Sequence, residues 1–131
     1  MSFVVDTDIC SKYLKGDRRV FNHFMQHSGG LFISTVTLAE LYSWAYRTVH
    51  SPQRLEAVAN LLTEVIVLPV DPAVALRCGQ VRAGMLDSGH VLAAPDLLIA
   101  STALLFDYTM VTHNTVHFAM VPGLRLEDWV E

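Results

Sequence analysis

The chain has 131 residues, 52% of them hydrophobic and 17% charged, and its nine Lys+Arg against thirteen Asp+Glu give a net charge of −4. That is about one domain's length, too apolar for a disordered chain and, with two cysteines, too poor in them for a disulfide-stapled miniprotein. The acidic balance excludes a basic nucleic-acid coat but leaves open a small enzyme that holds cations with carboxylates. Cys10 and Cys78 show no CxxC spacing and read as reduced core residues of a cytoplasmic protein. The most apolar stretches, 65–70 and 97–106, fall short of the roughly 20 residues that span a bilayer. The N-terminal residues carry no basic region and meet Asp6 at once, unlike a signal peptide.

In chain order, Phe3-Val4-Val5 reads as a short buried strand, and a helix follows over 8–15 with Asp8 as its N-cap. Gly16-Asp17 breaks that helix. A second runs over 20–27 with Val20, Phe21, Phe24 and Met25 on one face, stopped by Ser28-Gly29-Gly30. Leu31-Phe32-Ile33 is the next strand, after which Thr35 or Thr37 caps a helix reaching about Val49. Pro52 sits at the first turn of a helix to about Thr63, with Leu55, Val58, Ala59 and Leu62 along one side. A strand over 65–68 ends at Pro69, and Pro72 opens a helix to about Leu86. After the turn Ser88-Gly89-His90, Pro95 opens a strongly apolar helix to about Phe106. Met110-Val111-Thr112 is a strand, Val121-Pro122-Gly123 a turn, and Leu124-Arg125-Leu126 a last short strand.

Alternating strands and helices imply a single α/β domain: a central, mostly parallel sheet of four to five strands, flanked by helices on both faces. Ligands of such sheets sit at the carboxyl ends of the strands. The polar residues just after strands are therefore the ones to weigh.

Asp6 directly follows the first strand, where an acid is equally at home as a turn former or as a site residue. Asp8 already fills the cap position, which leaves Asp6 free for another task. Glu40 lies among apolar neighbours in Val36-Thr37-Leu38-Ala39-Glu40-Leu41, in the expected first turn of a helix. It either complements the helix dipole or faces a polar cleft. Asp96 follows Pro95 at the tip of a helix apolar nearly all round. A carboxylate there is an ordinary first-turn acid, or it points into a crevice and needs a cation or hydrogen bonds. Asn114 lies in the polar cluster Thr112-His113-Asn114-Thr115 after a strand, where a plain turn is the alternative. Three acids and an amide then converge on one sheet edge, where the like charges of the acids cannot all ionise without a counter-charge. All-oxygen donors select Mg²⁺ or Mn²⁺ over zinc, and such a site suits phosphodiester chemistry.

At these residues the sequence resembles the PIN-domain family and, within it, the VapC-type toxins of bacterial toxin–antitoxin pairs. The resemblance rests on Val4-Val5-Asp6-Thr7-Asp8-Ile9, on residues 33–41, on Asp96-Leu97-Leu98-Ile99-Ala100, on Val111-Thr112-His113-Asn114-Thr115 and on the tail 118–129. It covers essentially the whole chain, 1–131, in order. It implies a PIN-like fold and a Mg²⁺- or Mn²⁺-dependent endoribonuclease. Asp6, Glu40 and Asp96 match the acidic catalytic and metal positions, and Asn114 matches a position that is Asp or Asn in relatives. Thr7 matches the hydroxyl residue beside the first acid. His117 stands where relatives often carry an acid; it could bind a phosphate oxygen, ligate a metal, or be an exposed turn histidine.

The resemblance further implies hydrolysis that leaves 5′-phosphate and 3′-hydroxyl ends, with a structured RNA such as tRNA or rRNA as substrate. Lys12, Lys15, Arg18 and Arg19 are candidates to steer RNA, or simply a solvated surface. A VapB-like antitoxin and a homodimer are the implied partners. Phe21, Phe24, Tyr42, Trp44 and Tyr46 are candidates for apolar docking, with core packing as the alternative for each. Two other readings remain at this point. One is a non-catalytic PIN-like module that binds RNA or protein. The other is a HAD-type phosphatase, whose first motif is also a strand followed by Asp-x-Asp; against it, Gly16-Asp17 comes too early and no lysine follows Lys15.

Overall fold

Five strands and seven helices alternate in the computed structural model, which describes residues 1–131. They are β1 (Phe3–Val5), α1 (Thr7–Leu14), α2 (Arg18–Gln26), β2 (Leu31–Ser34), α3 (Thr35–Tyr46), α4 (Ser51–Leu62), β3 (Ile66–Leu68), α5 (Pro72–Asp87), α6 (Ala94–Phe106), β4 (Thr109–Val111), α7 (Thr115–Phe118) and β5 (Leu126–Glu127). The strands form one sheet in the order β3-β2-β1-β4-β5, with every pair parallel. β1 lies in the middle, with Phe3 opposite Leu31 on one side and opposite Thr109 on the other. The chain builds outward from β1 through β2 to β3, then returns to place β4 on the other flank of β1. That reversal opens a crevice beyond the carboxyl ends of β1 and β4, where α/β sheets take their ligands.

Strand period puts alternate residues of β1 into two separate cores. Phe3 and Val5 pack with Ile9, Val20, Leu41 and Leu61 from the helices α1 to α4. Val4 packs with Met85, Leu97, Ile99 and Ala103 from α5 and α6. Helices therefore cover both faces, and β1 is apolar throughout because neither face meets water.

Several boundaries differ from the sequence expectation for local reasons. The cap of α3 is Ser34, not Thr35 or Thr37: its Oγ accepts from the Val36 N–H at 3.1 Å. α3 also ends at Tyr46, short of Val49. Along α2, Val20 and Phe24 are buried while Phe21 and Met25 face outward. On α4 the buried pair is Val58 and Leu61, and Ala59 is exposed. Helical period finds an apolar stripe, but which edge of it faces the sheet is set by tertiary neighbours. The four-residue α7 falls where a turn was expected, and β5 begins two residues later than the expected strand at Leu124.

Ser34 is fully buried, so its cap bond has no water to replace it. Ser34→Ala is expected to cost about 1–2 kcal/mol, read as a lower urea midpoint with an unchanged slope.

Candidate active site

Asp6 is the residue where β1 ends and α1 begins, with backbone φ −71° and ψ 160°. Its Oδ1 accepts from the Thr7 N–H at 2.8 Å, and its Oδ2 accepts from the Thr112 hydroxyl at 2.9 Å. Asp6 is thus itself the N-cap of α1, which corrects the expectation that Asp8 takes that role and shows that capping and a place in the site are compatible. Asp8 lies in the first turn and reaches across the crevice: its Oδ2 accepts from the His113 N–H at 3.1 Å, fastening the segment after β4 to α1. Thr112 in turn accepts from the Asn114 N–H at 3.1 Å.

Asp6 is only 7% exposed. Burial pushes its carboxyl up from the ordinary 3.8 to about 7, and the Asp8 charge adds to this. The bonds from Thr112 and Thr7 pull the other way, and the Asp96 charge contributes a further, smaller rise. The site thus concentrates negative charge without a cation of its own.

Glu40 enters from the second turn of α3, six residues in, not from the first turn, so the dipole explanation for it falls away. It is exposed at an open cleft, not shielded by its apolar sequence neighbours, which lie on the other sides of the helix. Its Oε1 accepts from the Thr7 hydroxyl at 2.7 Å, and the Thr37 hydroxyl stands 3.1 Å from Thr7 Oγ1. Thr7 therefore joins α1 to α3 at the point where both leave the sheet edge.

Asp96 is the third residue of α6, whose start has no side-chain cap. Residues 97 and 99–103 behind it are buried, so the carboxylate stands at the tip of an enclosed helix. Its Oδ2 lies 3.3 Å from His117 Nε2, and both side chains are about one-third exposed (34% and 38%). His117 is thus neither isolated nor in a turn: α7 brings it onto Asp96.

The fold gathers Asp6, Thr7, Glu40, Asp96 and His117 at this edge. Asn114 is adjacent but exposed, and its side chain makes no cap bond to α7. Sequence reading missed Thr112 and the crevice-spanning role of Asp8. The second acid of Asp6-Thr7-Asp8 and a hydroxyl ending a buried strand were the available signals. The basic group at 12–19 is spread over the last turn of α1, the following break and the start of α2. Arg19 there is paired with Asp17 at 3.4 Å.

No three of these carboxylates and imidazoles close on one point as a ligand set; Thr7, Thr112 and His117 hold oxygens of Glu40, Asp6 and Asp96. The donor chemistry nonetheless fits a hard divalent cation: Asp6, Glu40 and Asp96 offer only oxygen, and Asp6 is buried among like charges.

Comparison with known proteins bears on the fold and the family. The family model described as the PIN domain matches residues 3–124. The chain is 34% identical over 130 residues to a tRNA(fMet)-specific endonuclease VapC of Shigella flexneri, covering 98% of both chains. Among solved structures, a DNA-bound VapBC from Salmonella typhimurium superposes with a TM-score of 0.94 at 29% identity, covering 98% of each chain. VapBC2 from Rickettsia felis, bound to a promoter DNA fragment, superposes with a TM-score of 0.92 at 26% identity, covering 98% of this chain and 99% of that one.

Proposed function

Because the chain belongs to the PIN-domain family, with VapC ribonucleases as its relatives, we infer that it is a metal-dependent endoribonuclease and the toxin of a toxin–antitoxin pair. The HAD-type phosphatase reading gives way to the family match over 3–124. The observation that supports the inference is that Asp6, at the end of β1, feels the Asp96 charge and is linked to Glu40 through Thr7, whose N–H bonds Asp6 and whose hydroxyl bonds Glu40.

Asp6, Asp96 and Glu40 would hold the cation, Mg²⁺ or Mn²⁺. Bound there, it would polarise the scissile phosphate, lower the pKa of an attacking water and stabilise the leaving oxygen. The chain's own residues prepare that arrangement. Thr112 and the Thr7 N–H fix both oxygens of Asp6. The Thr7 hydroxyl orients Glu40 and must release Oε1 if that oxygen ligates directly. His117 steadies Asp96 and lies where it can meet a phosphate oxygen. Asn114 stands at the rim as a further substrate contact.

The substrate is RNA, with tRNA the first class to test because the Shigella relative is named for one. A VapB-like antitoxin is the expected partner, as in the VapBC complexes, and a homodimer the expected assembly. No helix is long and apolar enough to cross a membrane, and the cytoplasm, where RNA and antitoxin are found together, is the proposed location.

The test is cleavage of total RNA by the purified chain with Mg²⁺, with Mn²⁺ and with EDTA, beside Asp96→Asn. Discrete products with either metal, absent in EDTA and in the variant, are the expected result. A folded, antitoxin-free chain that cuts nothing in any metal would point instead to the non-catalytic binding module.

A further inference from the structure

Beyond the carboxylates, α3 carries a second functional face. Glu40, Ser43, Trp44 and Arg47 follow the i, i+3, i+4, i+7 spacing that aligns side chains along one side of a helix. Arg54 joins them from α4, and together these five residues line an open cleft of about 380 Å³. Glu40 is one of the lining residues and is tied by Thr7 to the end of β1, so the cleft adjoins the carboxylate edge.

Its two cations are prepared differently. The Arg54 guanidinium lies 4.5 Å from the centre of the Trp44 ring, and its Nη1 donates to the Trp44 carbonyl at 2.8 Å. Those interactions fix it in place and leave its other N–H groups free. Arg47, the residue capping α3, makes no side-chain hydrogen bond and no ion pair. Neither arginine is within 4 Å of a carboxylate, Glu40 included. In a chain of net charge −4, two uncompensated guanidiniums facing one cleft are a local reversal of the field. Arg47 is seven residues, about 10 Å, along the helix from Glu40. That places it beyond the scissile phosphate and within reach of a neighbouring one.

We propose that this cleft is a substrate subsite in which Arg47 and Arg54 hold an RNA backbone phosphate next to the one that is cut, with the Ser43 hydroxyl as a further donor. The proposal rests on the ribonuclease reading and adds to it the device that sets RNA register against the carboxylates. Arg47 and Arg54 supply charge-assisted bonds to anionic oxygens, which repulsion from the acidic edge would otherwise disfavour. An acidic protein segment has the right charge as well, but continuity with the cleavage edge favours the polyanion that must lie across it.

The test is fluorescence anisotropy of a labelled single-stranded RNA with the full chain in EDTA, where no hydrolysis intervenes, over a range of salt. With Arg47→Ala and Arg54→Gln combined, affinity is expected to fall on the order of tenfold. The log–log salt slope should become shallower by about 0.7, the change for one phosphate no longer neutralised. Arg47→Lys, which keeps the charge, should retain most of the slope. If the double variant does not fold, Arg47→Ala alone carries the test with a shallower slope, by up to about 0.7, since that side chain holds nothing else in place. An unchanged slope in a folded variant overturns the subsite even if the chain cleaves RNA normally. An unchanged slope together with abolished binding of poly-glutamate overturns it in favour of an acidic protein partner. A reduced slope in a chain that cuts no RNA in any metal supports the subsite while the nuclease reading fails.

Discussion

Asp6→Asn is expected to abolish RNA cleavage and, in the absence of metal, to make the protein more stable. Loss of activity follows because the amide removes the buried negative charge that would hold the cation, and a fall of at least about a thousandfold is expected. The gain in stability follows from the same charge. A carboxyl raised from 3.8 to about 7 favours the folded state when protonated. That contribution is complete below about pH 4, declines as pH rises, and is gone above about pH 7. Ionised Asp6 thus withdraws roughly 4 kcal/mol of stability above neutrality. Asparagine never ionises, and its amide can still accept from the Thr7 N–H while donating to Thr112. Weaker neutral hydrogen bonds offset part of the gain, leaving about 2 kcal/mol, or about 8 °C in Tm, at pH 8 in EDTA. The order should reverse near pH 4, where the wild type regains its roughly 4 kcal/mol and becomes the more stable by about 2 kcal/mol. Added Mg²⁺ should reverse the order at pH 8 by raising the Tm of the wild type alone. Melting curves at two pH values, with and without metal, read all of this. Equal Tm for the two proteins in EDTA at pH 8 would sink the argument about buried charge.

Trp129→Ala should bring the chain close to unfolding. The ring is fully buried near the C-terminus, stacked 4.9 Å from His23 and 5.3 Å from His27, with its edge 5.1 Å from Phe3. Its Nε1–H donates to Glu127 Oε1 at 3.0 Å. The ring closes the core between Phe3 of β1 and the aromatic side chains of His23, Phe24 and His27, so its removal leaves a large cavity there. A loss of about 3–5 kcal/mol is expected, against a typical total of about 5–15 kcal/mol. The site is affected only indirectly. Asp128, one residue before the ring, accepts from His113 Nδ1 at 2.9 Å, and His113 is held to Asp8 through its backbone. Denaturant melts should show the large loss, while cleavage per folded molecule at low temperature stays within a few-fold of wild type. A variant as stable as wild type would mean that the tail is not part of the core.

Both expectations depend on placements that the sequence discloses unevenly. Phe3-Val4-Val5, Leu31-Phe32-Ile33 and Met110-Val111 were legible as buried strands because a parallel sheet covered on both faces needs unbroken apolar runs. The candidate acids were legible as well: Asp6, Glu40 and Asp96 each stand out against apolar surroundings. The role of Asp8 was not. Asp6 and Asp8 both fit a cap by composition, and only the approach of the His113 N–H to Asp8, more than a hundred residues away in sequence, separates them. Ser34 was passed over for Thr35 for a similar reason, since a hydroxyl at either position could cap and the helix start decides between them.

The sequence by itself determined the alternation of strands and helices, the apolar identity of both cores, and the residue types that meet at the carboxyl edge. Those features depend on local period and on the chemistry of single side chains. Tertiary structure alone decided the strand order, and with it the crevice between β1 and β4. It also set the partners of each carboxylate: Thr112 on Asp6, Thr7 on Glu40 and His117 on Asp96. Hydrogen bonds and charges act over a few ångströms of space whatever the distance along the chain. Pairings that span 21, 33 and 106 residues therefore exist only once the sheet has closed.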